Sequence, residues 1–476
     1  LLRLTHANST VSDYQSSILT GAVPSSRWIF AAAQRFERDL QREDIYMDWD
    51  SVDALCAHYR ALSLVGDESG AAFELQPWQV WCLAQIWGWR RTDDRRRRVQ
   101  LAMLQVARGA GKTTLAAGLA LWDLAQGEGR RVHVIANNEQ QAAICLDTAR
   151  TMLRRQDDNG YKILWDRIVD EGRDCTFDAL AARETSLDGL NPSMWIADEA
   201  AEFKGRFLTK LLTTGAKRKE SLGLIITTPG ANPENIYGEL VAQGEAILKG
   251  EVEEDTIMPL FFGLDPTDKS DDEDAWPKAN PGMPYGQPDV RSIRRAWSRM
   301  KASPMGRSEF DRYHCARWNE NNGGWLDMGL WNPEEVDWAA LRGRPAWLGM
   351  DLSKSLDMTV VSVCVPLDDG RVAIRGHYWW PAADVRQREL DYRLPVRAWA
   401  ADGRIVLTPG REIDYEAVRT KIGELMTEFD VRSIGYDAWG SRYLVEQLVR
   451  DGAPMVAYRM GIATFGPGCQ LWQNLW

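Results

Sequence analysis

The feature of this sequence that most constrains its fold is a glycine-rich loop between an apolar run and a helical pattern. Such a loop directs backbone N–H groups at phosphates, and the helix N-terminus favours their negative charge. We therefore expect a parallel-sheet domain that binds a nucleoside triphosphate, with Lys112 at the β- and γ-phosphates and the Thr113 hydroxyl at Mg²⁺. Val106 stands where this motif usually has its first glycine. The predicted nucleotide-binding residues of the loop are Arg108, Gly109, Ala110, Gly111, Lys112, Thr113 and Thr114.

A second motif lies at the end of a later apolar run. Asp198 and Glu199 directly follow the run 194–197, about 85 residues after the loop. A buried strand that ends in Asp-Glu predicts Asp198 as the Mg²⁺ ligand and Glu199 as the residue that orients the attacking water. The pair favours ATP hydrolysis coupled to mechanical work. Phosphorylation of a small molecule would need a second pocket, which no pattern indicates.

The distribution of apolar residues divides the chain into four regions. Residues 1–70 have helical periodicity, and residues 71–261 alternate short apolar runs with amphipathic helices, which predicts a parallel sheet covered on both faces. Residues 262–345 are rich in Asp, Pro, Gly, Asn and Trp and are predicted to be a linker or lid around a helix at about 289–302. Residues 346–476 follow the order strand-strand-strand-helix-strand-helix, which predicts a ribonuclease-H-like sheet.

Composition alone leaves the partner open. The formal charge of −11 argues against coating of DNA through bulk positive charge, yet local basic tracks occur at 90–98 and 217–219. The scattered cysteines and histidines form no CxxC or HxxxH pair, so we expect neither structural zinc nor a disulfide framework. No apolar stretch reaches the length of a membrane span, and the N-terminus has no secretory pattern. A cytosolic protein without membrane contact is expected.

With these motifs in place, the chain resembles the large terminase subunit of tailed double-stranded DNA phages over nearly its whole length. The segments 75–79, 106–114, 136–142 and 227–230 follow one another in the order typical of that family. The resemblance implies an α/β fold, in which a P-loop ATPase with a parallel sheet precedes a ribonuclease-H-like nuclease domain. It also implies that Gln79 reads adenine. It further implies that the hydroxyl of Thr228, at the tip of the predicted strand 222–227, senses the γ-phosphate.

The resemblance further implies an arginine at the γ-phosphate. Arg108 is the candidate within the same subunit, and Arg218 is the candidate supplied by a neighbouring subunit. A guanidinium in that place is worth roughly 10³ to 10⁵ in rate in other NTPases. The implied partners are double-stranded DNA, the portal protein of the procapsid, the small terminase subunit and further copies of the chain in a pentameric ring. The implied location is the host cytoplasm, with transient docking on the portal and no stable place in the virion.

The second predicted sheet has aspartates at the ends of two strands. Asp351 ends its first strand and Asp437 its fourth, and these strands are neighbours in a ribonuclease-H-like sheet. The two carboxylates are therefore expected to bind divalent ions, Mg²⁺ or Mn²⁺, for two-metal attack of water on a phosphodiester. Asp357 is a secondary candidate. The family has a third acidic ligand on a helix near its C-terminus, and the sequence ends at Trp476 before such a segment. We therefore expect an incomplete nuclease domain with weak metal binding and slow or absent cleavage.

Two other classes of protein compete with this interpretation. One is a helicase-like DNA translocase with a non-catalytic second domain, against which stands the lack of a Gln-x-x-Gly-Arg-x-x-Arg element. The other is a truncated prophage remnant that serves only in assembly or binding. Mg²⁺-dependent cutting of plasmid DNA separates the packaging enzyme from the helicase, and ATP turnover separates both from the remnant.

Overall fold

The computed structural model divides into two compact units, Leu1–Asp327 and Met328–Trp476. The residues that the structure describes are 6–63, 71–154, 160–183, 187, 189–203, 207–230, 235–318, 334–353, 358–383, 385–386, 389, 394–437, 442–458 and 461–475. The secondary candidate Asp357 lies outside these residues.

Helices and strands of the first unit alternate over residues 101–163 and 194–261. Its described helices are α1 (His6–Leu19), α2 (Arg27–Asp39), α3 (Trp49–Ala61), α4 (Pro77–Leu83), α5 (Lys112–Leu124), α6 (Glu139–Leu153), α7 (Phe207–Leu212), α8 (Ile236–Lys249), α9 (Val290–Met300) and α10 (Pro304–His314). Its described strands are β1 (Ile45–Met47), β2 (Trp89–Arg91), β3 (Leu101–Gln105), β4 (Arg131–Ala136), β5 (Lys162–Ile163), β6 (Arg167–Asp170), β7 (Cys175–Ala181), β8 (Met194–Asp198), β9 (Leu222–Thr227) and β10 (Ile257–Phe261).

A central sheet in the order β10-β3-β9-β8-β4-β7-β6-β5 organises the first unit. Strands β10 to β7 are parallel to one another, and β6 and β5 add an antiparallel edge. Every residue of β3, β8 and β9 is buried, because helices cover both faces of a parallel sheet. This burial explains why those strands are continuous apolar runs in the sequence. The edge strand β10 was not predicted.

The N-terminal helices share one hydrophobic core with this sheet. Val11 of α1, Phe36 of α2 and Tyr59 of α3 are buried in the same cluster as Met103 of β3. The side chain of Ser26 caps α2 by accepting a hydrogen bond from the Ile29 N–H, as serine commonly does at a helix start. Residues 6–61 therefore form a layer on the nucleotide-binding domain.

The segment predicted to be a linker or lid packs against the glycine-rich loop. Trp276, Ile293 of α9 and Phe310 of α10 form a small core together with Ala107 of the loop. Two backbone hydrogen bonds reinforce the contact: the Ala107 N–H donates to the Ala279 carbonyl at 3.1 Å, and the Arg108 N–H to that of Tyr313 at 2.7 Å. Residues 262–318 are therefore an ordered part of the first unit, with α9 close to the helix predicted at 289–302.

The second unit begins with three strands and then alternates helices with strands. Its described strands are β11 (Pro345–Asp351), β12 (Thr359–Pro366), β13 (Val372–Pro381), β14 (Val406–Thr408), β15 (Asp430–Asp437) and β16 (Met455–Tyr458). Its described helices are α11 (Val396–Ala401), α12 (Tyr415–Glu428), α13 (Arg442–Arg450) and α14 (Ile462–Leu475).

The sheet of the second unit has the order β14-β13-β12-β11-β15-β16. Strands β11, β12 and β13 form an antiparallel meander, whereas β15 lies parallel to β11. Residues alternate between buried and exposed along β11, which places Leu348 and Met350 on the core face together with Ile434 of β15. The α/β fold class and the adjacency of the first and fourth predicted strands are confirmed.

Candidate active sites

The glycine-rich loop has the backbone that phosphate binding requires. Gly109 and Gly111 adopt positive φ angles of 87° and 79°, a conformation that side chains disfavour. A Cβ added at either glycine would meet no atom within 4 Å, so backbone conformation rather than crowding selects glycine there. Helix α5 begins at Lys112, directly after this turn. Free N–H groups of a helix N-terminus thus face the same side as the loop, which is the arrangement that attracts phosphate.

The strand-end carboxylates lie beside this loop. The Thr113 hydroxyl donates a hydrogen bond of 3.4 Å to the Asp198 carboxylate, and the Lys112 ammonium lies 3.8 Å from that of Glu199. Burial lowers the pKa of Lys112 from its usual value, although the Glu199 carboxylate opposes this shift. Burial and the Glu199 charge raise the pKa of Asp198 to about 6. A hydroxyl next to a buried carboxylate is a donor set that suits Mg²⁺, so the residues present fit a nucleotide with its metal ion.

Glu199 is held in a strained conformation by the neighbouring strand. Its φ of 54° lies in the left-handed region, which is uncommon for a residue with a side chain and is often found at functional sites. One carboxylate oxygen accepts hydrogen bonds from the Thr228 N–H at 3.2 Å and from the Thr228 hydroxyl at 3.1 Å. The Thr227 hydroxyl lies 3.3 Å from the same oxygen. Residues 227 and 228 therefore orient the carboxylate of Glu199.

Two residues of α10 approach the loop, and sequence reasoning missed both. The Arg108 guanidinium lies 5.3 Å from the centre of the Tyr313 ring, and that of Arg312 lies 4.8 Å from it. Arg312 also donates to the Pro229 carbonyl at 2.8 Å and forms an ion pair with Glu202, which belongs to the turn after Glu199. No local motif marks Arg312 or Tyr313, because the contacts of Arg312 with Pro229 and of Tyr313 with Arg108 join residues more than eighty positions apart in the sequence.

Gln79 lies in the first turn of α4. It is buried on α4, and its side-chain oxygen accepts a hydrogen bond of 2.9 Å from the Gln76 N–H. This contact forms a capping box, which stabilises the first turn of a helix. The side-chain oxygen of Gln79 thus accepts a hydrogen bond within the fold. The recognition of adenine by this residue stays a prediction.

Arg218 lies at the opposite end of the strands from the loop of its own chain. Its guanidinium donates to the Asn191 carbonyl at 2.6 Å and to the Gly129 carbonyl at 2.8 Å. Residues 129, 191 and 218 all precede the N-terminal ends of parallel strands, whereas the loop follows a C-terminal end. The length of a typical strand, about 17–20 Å, therefore separates Arg218 from the loop of its own chain. The role of Arg218 at a neighbouring subunit stays a prediction, and these two hydrogen bonds count against it.

The basic run 90–98 is partly structural. Arg98 is fully buried and its guanidinium bridges Asp39 and Asp255 at 2.7 and 3.0 Å. Arg97 is also buried, and it stacks over the Trp87 ring at 4.4 Å. Removing one partner of such a buried ion pair is strongly destabilising, since it leaves an uncompensated charge. Part of this run therefore belongs to the core, and the rest of it is exposed or half-buried.

In the second unit, the two predicted aspartates are neighbours. The parallel register pairs Met350 with Tyr436, which sets Asp351 beside Asp437 at the carboxyl ends of β11 and β15. Neighbouring strands lie about 4.8 Å apart. Both aspartates point away from the core face that Leu348 and Met350 occupy, and Asp351 is exposed. The two carboxylates therefore form an open acidic edge.

This acidic edge fits a divalent cation only in part. Two hard carboxylate oxygens on one face are ligands that Mg²⁺ and Mn²⁺ accept, with water completing the coordination. No group of three or more His, Cys, Asp or Glu residues with metal-binding geometry occurs among the described residues. Asp351 and Asp437 would hold one ion, and a second ion would need a further ligand.

The chain matches two family models that between them extend from residue 77 to residue 467. One is the ATPase domain of the terminase large subunit, at residues 77–245, and the other is the endonuclease domain of the same subunit, at residues 251–467. The terminase large subunit of Enterobacteria phage HK97 is 23% identical over 399 residues, which are 79% of this chain and 75% of that protein. Protein YmfN of Escherichia coli strain K12 is 25% identical over 244 residues, which are 48% of this chain and 53% of that protein.

Solved structures of two bacteriophage proteins also match the chain. The crystal structure of the HK97 bacteriophage large terminase gives a TM-score of 0.49 at 20% identity, over 89% of this chain and 88% of that one. The N-terminal domain of the DNA packaging ATPase from bacteriophage phi29 gives 0.28 at 14% identity, over 34% of this chain and 91% of that one.

The chain belongs to the terminase large subunit family. It is an ATPase and an endonuclease, and these two domains imply packaging and cutting of phage DNA with use of a nucleotide and a divalent metal. No described helix has the length and apolar character that crossing a membrane requires.

Proposed function

We propose that this chain is a motor that uses ATP to move double-stranded viral DNA into a procapsid and that cuts the DNA concatemer at the acidic edge. The observation that carries the proposal is the network around Glu199. Its carboxylate faces Lys112 on one side and is held by Thr228 on the other. A carboxylate held in this way beside a phosphate-binding loop is suited to orient water and to accept its proton.

Each residue of the loop region has a role in this mechanism. The backbone at Gly109 and Gly111 cradles the phosphates, and Lys112 neutralises charge on them. Thr113 and Asp198 would hold Mg²⁺, which when bound supplies charge stabilisation at the transferred phosphate. Arg108, which is exposed at the start of the loop, is the arginine that can approach the γ-phosphate within the same subunit.

Coupling of hydrolysis to movement would pass through residues 227–230. Thr228 touches the Glu199 carboxylate, and the carbonyl of the next residue, Pro229, accepts from Arg312 of α10. Arg312 also pairs with Glu202 in the turn that follows Glu199. A change at the γ-phosphate can therefore reach the helices α9 and α10 through one short set of contacts, which is the physical requirement for a conformational step.

In the second unit, Asp351 and Asp437 would hold the metal ion for DNA cutting. Bound divalent ions supply an activated water and stabilise the leaving oxygen of a phosphodiester. A two-metal mechanism needs a further ligand beyond this pair. The proposed partners are the portal protein, the small terminase subunit and further copies of the chain in a pentameric ring, in the host cytoplasm and transiently at the portal.

Uptake of linear double-stranded DNA by procapsids that carry their portal protein tests the proposal. We expect DNase-resistant DNA to accumulate with ATP and Mg²⁺ and to be absent with Glu199→Gln, which still binds nucleotide. The matched control is Glu239→Gln, a change of the same kind at an exposed position of α8. Uptake at the parental rate by Glu199→Gln would contradict the proposal.

A further inference from the structure

A basic surface on the first unit is not accounted for by either active site. Residues 290–307 contain no Asp or Glu, although the whole chain has a formal charge of −11. Their basic side chains are all exposed: Arg291, Arg294, Arg295, Arg299, Lys301 and Arg307. We call the four arginines of α9 in this set, together with Ser298 between them, the arginine stripe.

The stripe occupies one side of α9. Arg291, Arg295 and Arg299 are spaced four residues apart, so they lie above one another on a helix. With Arg294 and Ser298 they line an open depression. The opposite side of α9 packs inward, where Ile293 is fully buried and the Trp297 ring lies 5.0 Å from that of Phe310. The apolar side thus fixes the helix, and its arginines have no packing role in that core.

The charges of the stripe are only partly neutralised. Arg291 pairs with Asp289 at 3.0 Å, and Arg294 pairs with Glu273. Within the described part of the chain, no ion pair engages Arg295 or Arg299. Placing like charges this close costs free energy unless an anion compensates them. The stripe is therefore a surface that attracts a polyanion.

We propose that the arginine stripe of α9 binds the phosphate backbone of double-stranded DNA, which deepens the proposed function by naming a DNA-contacting surface of the motor. The stripe spans about 12 Å from Arg291 to Arg299 at 1.5 Å per residue. Phosphates of one DNA strand follow one another every 3.4 Å along the axis, so the stripe faces roughly three or four of them. Guanidinium groups that contact phosphates do not read sequence, which suits a motor that must act on any sequence.

The position of α9 connects this surface to the nucleotide site. Ile293 of α9 belongs to the same small core as Ala107, which precedes Arg108 in the phosphate-binding loop. Helix α10, which packs against α9, carries Arg312 and its contacts to Pro229 and Glu202. DNA bound to the stripe would contact α9, and α9 packs against α10. Helix α10 contacts Pro229, which directly follows the Thr228 that holds Glu199.

Equilibrium binding of a short double-stranded DNA, measured by fluorescence anisotropy over a series of salt concentrations in EDTA, tests the proposal. The variant is Arg295→Ala/Arg299→Ala, and the matched control is Arg38→Ala/Arg154→Ala, which removes the same charge from other exposed positions. Loss of two phosphate contacts should lower the slope of log K against log salt by about 2 and weaken binding about 10- to 100-fold near 0.1 M salt. The control should keep the parental slope, and all three proteins should melt at the same temperature.

Two further results decide the outcome. Arg295→Lys/Arg299→Lys keeps both charges and should recover most of the slope, which a purely structural role would not predict. If the parent binds DNA and the stripe variant behaves as the control does, the stripe is not a DNA surface, and the packaging function stands on its own evidence. If the parent binds no DNA although it hydrolyses ATP, both the stripe and the proposed translocation of DNA are wrong.

Discussion

The nucleotide site and the acidic edge differ in how much of their geometry the fold itself supplies. In the first unit, Lys112 and Asp198 are buried and Glu199 is held by Thr228, so charges and hydrogen bonds surround the proposed place of reaction. In the second unit, Asp351 is exposed at the end of its strand. Neighbouring side chains preorganise the nucleotide site, whereas the acidic edge would depend on the cations that its two carboxylates bind.

The largest effect on the ATPase side is expected from Glu199→Gln. The amide keeps the size of the side chain but cannot accept a proton from water, so ATP turnover should fall about 10²- to 10⁴-fold while nucleotide binding is retained. Turnover and binding of a fluorescent nucleotide are measured on the same preparation. Parental turnover in this variant would mean that the preorganised carboxylate is not the catalytic group.

A smaller loss is expected from Thr228→Val, which removes one of the bonds that orient Glu199. The Thr228 N–H still donates to the carboxylate at 3.2 Å, and the Thr227 hydroxyl remains 3.3 Å from it. Loss of one hydrogen bond to a charged group costs about 1.5–3 kcal/mol, so turnover should fall about 10- to 100-fold with little change in KM. Thr213→Val, at an exposed residue just after α7, is the matched control. If Thr228→Val hydrolyses ATP as fast as the control, preorganisation by residue 228 is not needed.

The smallest effect is expected from Arg218→Ala, since its guanidinium is bound to two carbonyls away from the loop. We expect turnover within about threefold of the parent and a lowered melting temperature, because two carbonyls lose their donor. Lys217→Ala, the exposed neighbour, serves as control. A loss of about 10³-fold or more, rescued by mixing with Lys112→Ala subunits, would instead establish Arg218 as an arginine supplied to a neighbouring subunit.

Features that follow local rules could be predicted from the sequence, and features that arise from distant contacts could not. The loop, the Asp198–Glu199 pair and the ends of β11 and β15 follow local rules, since buried strands and the turns after them leave patterns within a few residues. Arg312 has no such pattern, because its role arises from contacts with Pro229 and Glu202 across the fold. The arginines of α9 are spaced along the sequence and converge only when the helix forms.

The basic run 90–98 shows the limit of reading charge from sequence. A run of arginines predicts a solvated surface, yet Arg98 is buried because Asp39 and Asp255 compensate its charge. Those partners lie 59 and 157 residues away, so no local pattern reports them. A run of arginines in the sequence therefore does not by itself locate exposed positive charge, which on the folded chain is found on α9.

The most direct test of two separate sites is Mn²⁺-dependent plasmid cutting and ATP turnover measured side by side on the same preparations. Asp351→Asn and Asp437→Asn should each reduce the cutting that the parent shows, however slow, to the background without metal, and they should leave ATP turnover unchanged, because the substituted carboxylates lie in the second unit. Glu199→Gln should lower ATP turnover and leave plasmid cutting unchanged. Asp430→Asn, at the far end of β15, should cut as the parent does. Parental cutting by both aspartate variants, or a parallel loss of ATP turnover, would contradict the account.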